Sequence, residues 1–139
     1  MEEFVTIEPQ ECLQSRKFLN GVNVRIQTLP LYRCSYLDIT VQICIKPIST
    51  DIHVSGSIKR EGAWELETVN NVIKAMQKFP EATFLDIGAN LGMYAVVIAA
   101  MKRRVVAVDA DPINLAYIRK SLDLEGNTGN VRIIYNSVR

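Results

Sequence analysis

Apolar and polar positions divide the chain into two textures. Through residues 1–60, strand formers and turn residues dominate and no helical period is sustained. Leu37–Lys46 alternates apolar and polar side chains, the period-2 signature of a half-buried strand. Pro47 ends it, because proline cannot donate to a ladder. Ile52–Ile58 predicts a second short strand, and a looser one falls near Val22–Thr28. From residue 61 onward the period changes. Leu66, Val69, Ile73 and Met76 recur at helical spacing within Trp64–Lys78, and Pro80 closes that helix. Thr83–Ile87 is a short apolar run ending at a glycine turn. Asn90–Lys102 predicts the next helix, with Asn90 as N-cap. Val105–Val108 is a second apolar run. Asp111-Pro112 opens a third helix with Asp at the N-cap and Pro at the first helical position. Its apolar face is Ile113, Leu115, Ile118 and Leu122, and after the Gly126–Asn130 loop comes a third run, Val131–Tyr135.

The order α-β-α-β-α-β predicts an α/β fold with a parallel sheet covered on both faces. Right-handed crossovers set the second strand beside the first and the third beyond it. The chain divides into a strand-rich N-terminal segment, 1–60, and an α/β unit, 61–139. Its 139 residues suffice for one domain, and 48% hydrophobic residues are enough for a real core. No internal repeat or low-complexity segment occurs.

A net charge of +1, from 16 basic and 15 acidic residues, gives neither the footprint of a nucleic-acid binder nor a polybasic membrane patch. No nucleic-acid partner is expected on that ground. Cys12, Cys34 and Cys44 are odd in number and form no CxxC or Cys/His cluster, which points to free core thiols and no metal site. The start of the chain lacks a basic stretch followed by an apolar one, so no signal peptide is expected. Leu91–Met101 is the most apolar stretch and is far shorter than the roughly 20 residues of a membrane-spanning helix. Both observations predict a cytoplasmic protein. Lys102-Arg103-Arg104 reads as a solvated helix end.

The candidate chemistry sits at the ends of the first two runs of the α/β unit. Asp86-Ile-Gly-Ala-Asn-Leu-Gly92 follows a strand and opens a helix, so backbone N–H groups gather at a helix N-terminus. Gly88 removes the Cβ where the chain turns and a ligand comes close. Asp109 ends the next strand 21 residues after Gly88, near the spacing of about 20 at which an acid meets the ribose hydroxyls of a bound nucleoside. The dinucleotide fingerprint fails, because Asn90 and Met93 stand where its later glycines belong. No phosphate-binding Gly-Lys-Ser/Thr follows either.

Phe84-Leu-Asp-Ile-Gly-Ala-Asn-Leu-Gly-Met-Tyr94 resembles motif I of the class I methyltransferases, in particular the FkbM-type branch. That branch usually shows E-P-x-P after its second strand. Asp109-Ala-Asp-Pro112 keeps the acid and the later proline and lacks the first proline. Gly62-Ala-Trp-Glu65 is similar to animal members of the branch. The resemblance covers roughly residues 50–139. It implies a Rossmann-like sheet bound to S-adenosyl-L-methionine (SAM), with methyl transfer to a hydroxyl of a sugar or other small-molecule acceptor.

On that resemblance, Gly88, Ala89, Asn90 and Gly92 line the methionine and ribose part of SAM. Asp86 orients the loop or receives the ammonium group, Asp109 binds the ribose hydroxyls, and Tyr94 flanks the methionine end. Ala110 and Asn136 approach the adenine. No catalytic base is assigned. Blander roles compete: Asp86 as a loop cap, Asp111 as an N-cap, Trp64 and Met76 as core, and His53 as a surface imidazole.

The resemblance also implies that residues 61–139 supply only the N-terminal half of the family's sheet. The expectation is a truncated chain that binds SAM weakly or not at all, with Thr83–Ile87 as an apolar edge open to a partner chain. Two rivals remain: an inactive methyltransferase-like interaction module, and, less favoured, a nucleotide-dependent oxidoreductase.

Overall fold

The computed structural model describes residues 17–19, 22–24 and 31–137. Two antiparallel hairpins come first. β1 (Lys17–Leu19) pairs with β2 (Val22–Val24), and β3 (Leu31–Tyr36) pairs with β4 (Ile39–Cys44). The remaining elements are α1 (Val54–Glu61), α2 (Leu66–Lys78), β5 (Phe84–Ile87), α3 (Met93–Ala100), β6 (Val105–Asp109), α4 (Pro112–Glu125) and β7 (Val131–Tyr135), with a 3₁₀ turn over Thr128–Asn130 before β7.

The α/β unit follows its periodicity. β5, β6 and β7 form a parallel sheet in the order β5-β6-β7, as right-handed crossovers require. Asp111 caps α4 as its sequence predicts, accepting from the Ile113 N–H at 2.8 Å, with Pro112 in the first turn. The expected cover on both faces does not hold among the described residues. Two successive right-handed crossovers that advance in one direction leave α3 and α4 on the same face. The other face carries Leu85 and Ile87, 56% and 57% exposed, beside the half-buried Val106, Val108 and Ile134.

The N-terminal half departs further from expectation. Ile52–Ile58 is not a strand, because Val54–Glu61 forms α1. Asp51 starts it by accepting from the Val54 and Ser55 N–H groups and the Ser55 hydroxyl. Gly62 ends it in a left-handed conformation. The strand expected over Leu37–Lys46 is shorter, Ile39–Cys44, and its partner β3 was not expected. Of the looser strand near Val22–Thr28, Val22–Val24 is β2, and positions 25–28 lie outside the described residues, as does Cys12.

β4 packs on α3 and α4, so the hairpin forms a third layer over the helices. Its backbone is tied to α4: the Cys44 N–H donates to Ser121 Oγ at 2.9 Å and the Gln42 N–H to Glu125 Oε1 at 2.6 Å. Both bonds satisfy edge-strand donors. Cys34 and Cys44 are buried, and burial pushes the Cys34 thiol up to about 12.

The basic run after α3 is not simply solvated. The Arg103 guanidinium donates to the carbonyls of Met76, Phe79 and Ala82, closing the C-terminal end of α2, and Lys102 Nζ donates to Asn127. Arg104 is exposed. Among the described residues, no helix is long and apolar enough to cross a membrane.

Gly92 fixes how α3 meets α4. It takes φ 82, and a Cβ there would lie 2.5 Å from Ile118 Cγ1. Gly92→Ala therefore combines backbone strain with a steric clash, and we expect a loss of about 2 kcal/mol or more. Gly129→Ala, whose Cβ would meet nothing within 4 Å, serves as the control with little change. Urea denaturation of both variants checks this, and equal midpoints would remove the packing role of Gly92.

Candidate functional site

The loop after β5 is built on backbone bonds to β6. The N–H groups of Gly88 and Ala89 both donate to the Val108 carbonyl, at 2.8 and 3.0 Å. The chain then turns, with Asn90 at φ 52 and the Gly92 N–H bonded to the Ala89 carbonyl at 2.8 Å. α3 starts only at Met93, so its N-cap is Gly92 and not Asn90. The loop consumes three residues that the helical pattern had claimed.

A cleft of about 310 Å³ opens above this loop. It is lined by Asp86, Gly88, Ala89, Asn90 and Tyr94, together with Ile87, Leu91, Met93 and, from the other side, Val54, Trp64 and Glu65. Five of the expected site residues thus converge. Gly88 stands at φ 76, and a Cβ on it would meet nothing within 4 Å, so its missing side chain leaves open space in the cleft. Gly92 does not line the cleft, because it faces Ile118.

Ala110 and Asn136 share a second hollow of about 280 Å³ with Tyr135 and Ser137. Asp109 stands between the two. It is 8% exposed, and its carboxylate accepts from three protein donors. Oδ2 takes the Asn90 N–H at 2.8 Å, and Oδ1 takes the Asp111 N–H at 2.8 Å and Asn114 Nδ2 at 3.1 Å. Its carbonyl accepts from the Asn136 N–H at 3.1 Å. The residue expected to hold a ribose is thus first of all a clamp between two loops.

Asp86 is the electrostatic anomaly. Its Oδ2 is buried without a hydrogen-bond partner. Burial pushes its carboxyl up to about 6; the Ala95 backbone N–H opposes this and the nearby Asp109 charge adds to it. Tyr94 stacks on Phe84 with ring centroids 6.4 Å apart, and its hydroxyl donates to Glu65 Oε2 at 2.6 Å. Burial, then Glu65, pushes that hydroxyl up to about 12.

Trp64 and Glu65 lie within a sequence string that resembled the family, yet neither was expected in the site. Glu65 takes φ 48 at the start of α2, which carries it to Tyr94. Periodicity assigns it to the helix and gives no hint of that turn. His53 is exposed and does not line the cleft.

No family model matches the chain, and no curated protein matches it in sequence. Solved structures do match. The T. thermophilus 16S rRNA N2 G1207 methyltransferase, in complex with AdoMet and guanosine, is similar at a TM-score of 0.56 with 17% identity. The match covers 84% of this chain and 31% of that one. The Pyrococcus abyssi tRNA (uracil-54, C5)-methyltransferase, in complex with S-adenosyl-L-homocysteine, is similar at 0.51 with 14% identity, over 89% of this chain and 28% of that one. The chain spans about a third or less of either neighbour's length. The likeness shows the fold alone: an α/β arrangement with a Rossmann-like parallel sheet, as in part of each of these two structures.

The raised carboxyl of Asp86 makes a stability prediction. Its folded value, about 6, lies above its ordinary 3.8. The folded chain therefore holds the proton longer, and this residue's contribution to stability falls as pH rises from about 4 to about 6. Asp86→Asn removes that cost, so the variant should be more stable than the parent at pH 7.5, by on the order of 2 kcal/mol. The gain should vanish near pH 4. Denaturant midpoints at the two pH values decide it, and a variant less stable at pH 7.5 would contradict it.

Proposed function

We propose that the cleft takes the methionine end of SAM and that the chain is the cofactor-binding part of a SAM-dependent methyltransferase. The observation that carries this reading is the buried, unpartnered Asp86 Oδ2 in a cleft lined by two carboxylates and no basic side chain. Such a cleft favours a cationic group. SAM brings an ammonium and a sulfonium at its methionine end. A dinucleotide brings a pyrophosphate, which the same carboxylates repel, and this speaks against the oxidoreductase.

The chain's own groups match the ligand in charge and hydrogen-bonding chemistry. Asp86 meets the cation. The open side of Gly88 admits the ligand against the backbone. A carboxylate has about four lone-pair positions and protein donors use three on Asp109; this reading gives the fourth to a ribose hydroxyl. The hollow of Ala110 and Asn136 then takes the adenine. When bound, SAM supplies an electrophilic methyl group. The protein's contribution is to hold that methyl in line with an acceptor in a site of fixed charge.

The FkbM-type assignment rests on Asp86–Gly92 and Asp109–Pro112, and with it comes a hydroxyl acceptor on a sugar or small molecule. The two structural neighbours act on RNA by name. The chain's net charge of +1 supports the small-molecule or glycan acceptor over a polyanion. A second reading, an inactive interaction module, draws on the uncovered face at Leu85 and Ile87, where a partner chain could pack.

Calorimetric titration of the full chain separates these readings. We expect saturable SAM binding with a Kd on the order of 100 μM, and no comparable heat with reduced nicotinamide dinucleotide. Asp86 is charged above about pH 6, so binding should weaken as pH falls through 6, and Asp86→Asn should bind weakly and lose that pH dependence. No saturation at millimolar SAM would leave the interaction module in possession, and preferential binding of the dinucleotide would restore the oxidoreductase.

A further inference from the structure

The cleft has a second wall, and the device holding it comes from outside the α/β unit. Trp64 and Glu65 form that wall just ahead of α2. Glu65 stands in the left-handed region at φ 48, ψ 45. A non-glycine residue stays there only where its surroundings impose it. Two contacts do so. The Tyr36 hydroxyl, on β3 and 28 residues earlier, donates to the Trp64 carbonyl and accepts from the Trp64 N–H, both at 2.9 Å. The Tyr94 hydroxyl donates to Glu65 Oε2.

Tyr36 is fully buried. A phenylalanine would fill nearly the same core volume, so packing alone does not call for the hydroxyl. Both hydrogen-bonding roles of that hydroxyl are used on a single backbone residue, which fixes the position of the Trp64–Glu65 peptide. The Glu65 side chain leaves from the end of that peptide.

We propose that the β3–β4 hairpin serves the cleft through Tyr36, a positioning residue that holds the Trp64–Glu65 segment so that Glu65 joins Asp86 in facing the cationic end of the ligand. The inference rests on the SAM reading above and extends it to a residue of the N-terminal segment. Tyr94 links the two acids: it bonds Glu65 directly and lies within electrostatic reach of Asp86. Without Tyr36, the strained turn at Glu65 loses its anchor, and the carboxylate is no longer fixed beside Tyr94.

The test uses Tyr36→Phe, Glu65→Gln and the double variant in the full chain, each titrated with SAM and with methylthioadenosine. The latter keeps the nucleoside and a thioether and lacks both positive charges. Each single substitution should weaken SAM binding about tenfold, and the double variant should be no weaker than the worse single one. Methylthioadenosine affinity should change by less than about twofold. Trp64 is the only tryptophan, so its fluorescence reports the segment without ligand. Acrylamide quenching should rise in Tyr36→Phe and stay at the parent level in Glu65→Gln.

Unchanged SAM affinity in Tyr36→Phe overturns the proposal, as does an equal loss for both ligands, which would signal general loosening. Unchanged Trp64 quenching in Tyr36→Phe removes the positioning role. Should the parent chain bind no SAM while quenching still rises in Tyr36→Phe, the hold on the wall stands, and both the SAM reading and the ligand-facing half of the proposal fall.

Discussion

The Asp109 carboxylate is the contact on which the rest of this site depends. It ends β6, is almost fully buried, and takes N–H donors from Asn90, Asp111 and Asn114. Hydrogen bonds to a charged acceptor contribute roughly 1.5–3 kcal/mol each, enough together to offset the desolvation of the carboxylate. The result is mechanical. The loop after β5 and the start of α4, far apart in sequence, become one unit across the ends of two parallel strands. The bonds from Gly88 and Ala89 to Val108 extend that unit along β6. The cleft floor therefore has a defined shape before any ligand arrives, which is what a binding loop needs to avoid an ordering cost.

That unit is held from behind by the helix layer. Gly92 lets α3 sit against Ile118 of α4, and α4 in turn receives the β4 backbone through Ser121 and Glu125. The N-terminal hairpin thus braces the same helices whose ends form the site. The opposite side of the sheet has no such support among the described residues. β5 alternates Phe84 and Asp86 toward the helices with Leu85 and Ile87 away from them, so the strand that carries the key acid also carries two exposed apolar side chains.

Much of this was legible in the sequence because the α/β unit obeys simple periods. Val131–Tyr135 appears with its expected bounds, and Asp111-Pro112 caps α4 as written. α1 was missed because Val54–Glu61 has few apolar residues to set a period; its signals were only the capping Asp51 and the closing Gly62. β3 was missed because its buried positions, Leu31, Cys34 and Tyr36, do not alternate. In the site, residue types and spacing identified the glycine loop and Asp109 correctly as neighbours. They did not distinguish a residue that lines the cleft, such as Gly88, from one that packs beneath it, such as Gly92. That distinction depends on φ and on the neighbour across the space, and neither is written locally. Glu65 was hidden for the same reason, since a left-handed turn at a glutamate has no sequence signature.

The cost carried by Asp86 bears on what the loop is for. Aspartate near a helix N-terminus is ordinarily favourable. Here one oxygen is buried without a partner, and a second acid, Asp109, stands close enough to raise its carboxyl further. A neutral asparagine could receive the Ala95 N–H and cap the loop with no charge to desolvate. A chain that served only as a docking surface would use the uncovered face at Leu85 and Ile87 and would need no such charge in the cleft. The two features are physically separable, since the open face can pack against a partner whether or not Asp86 is ionised. The acid's expense makes sense where an incoming positive charge completes its environment, and that is the property expected of a cleft for a cationic cofactor.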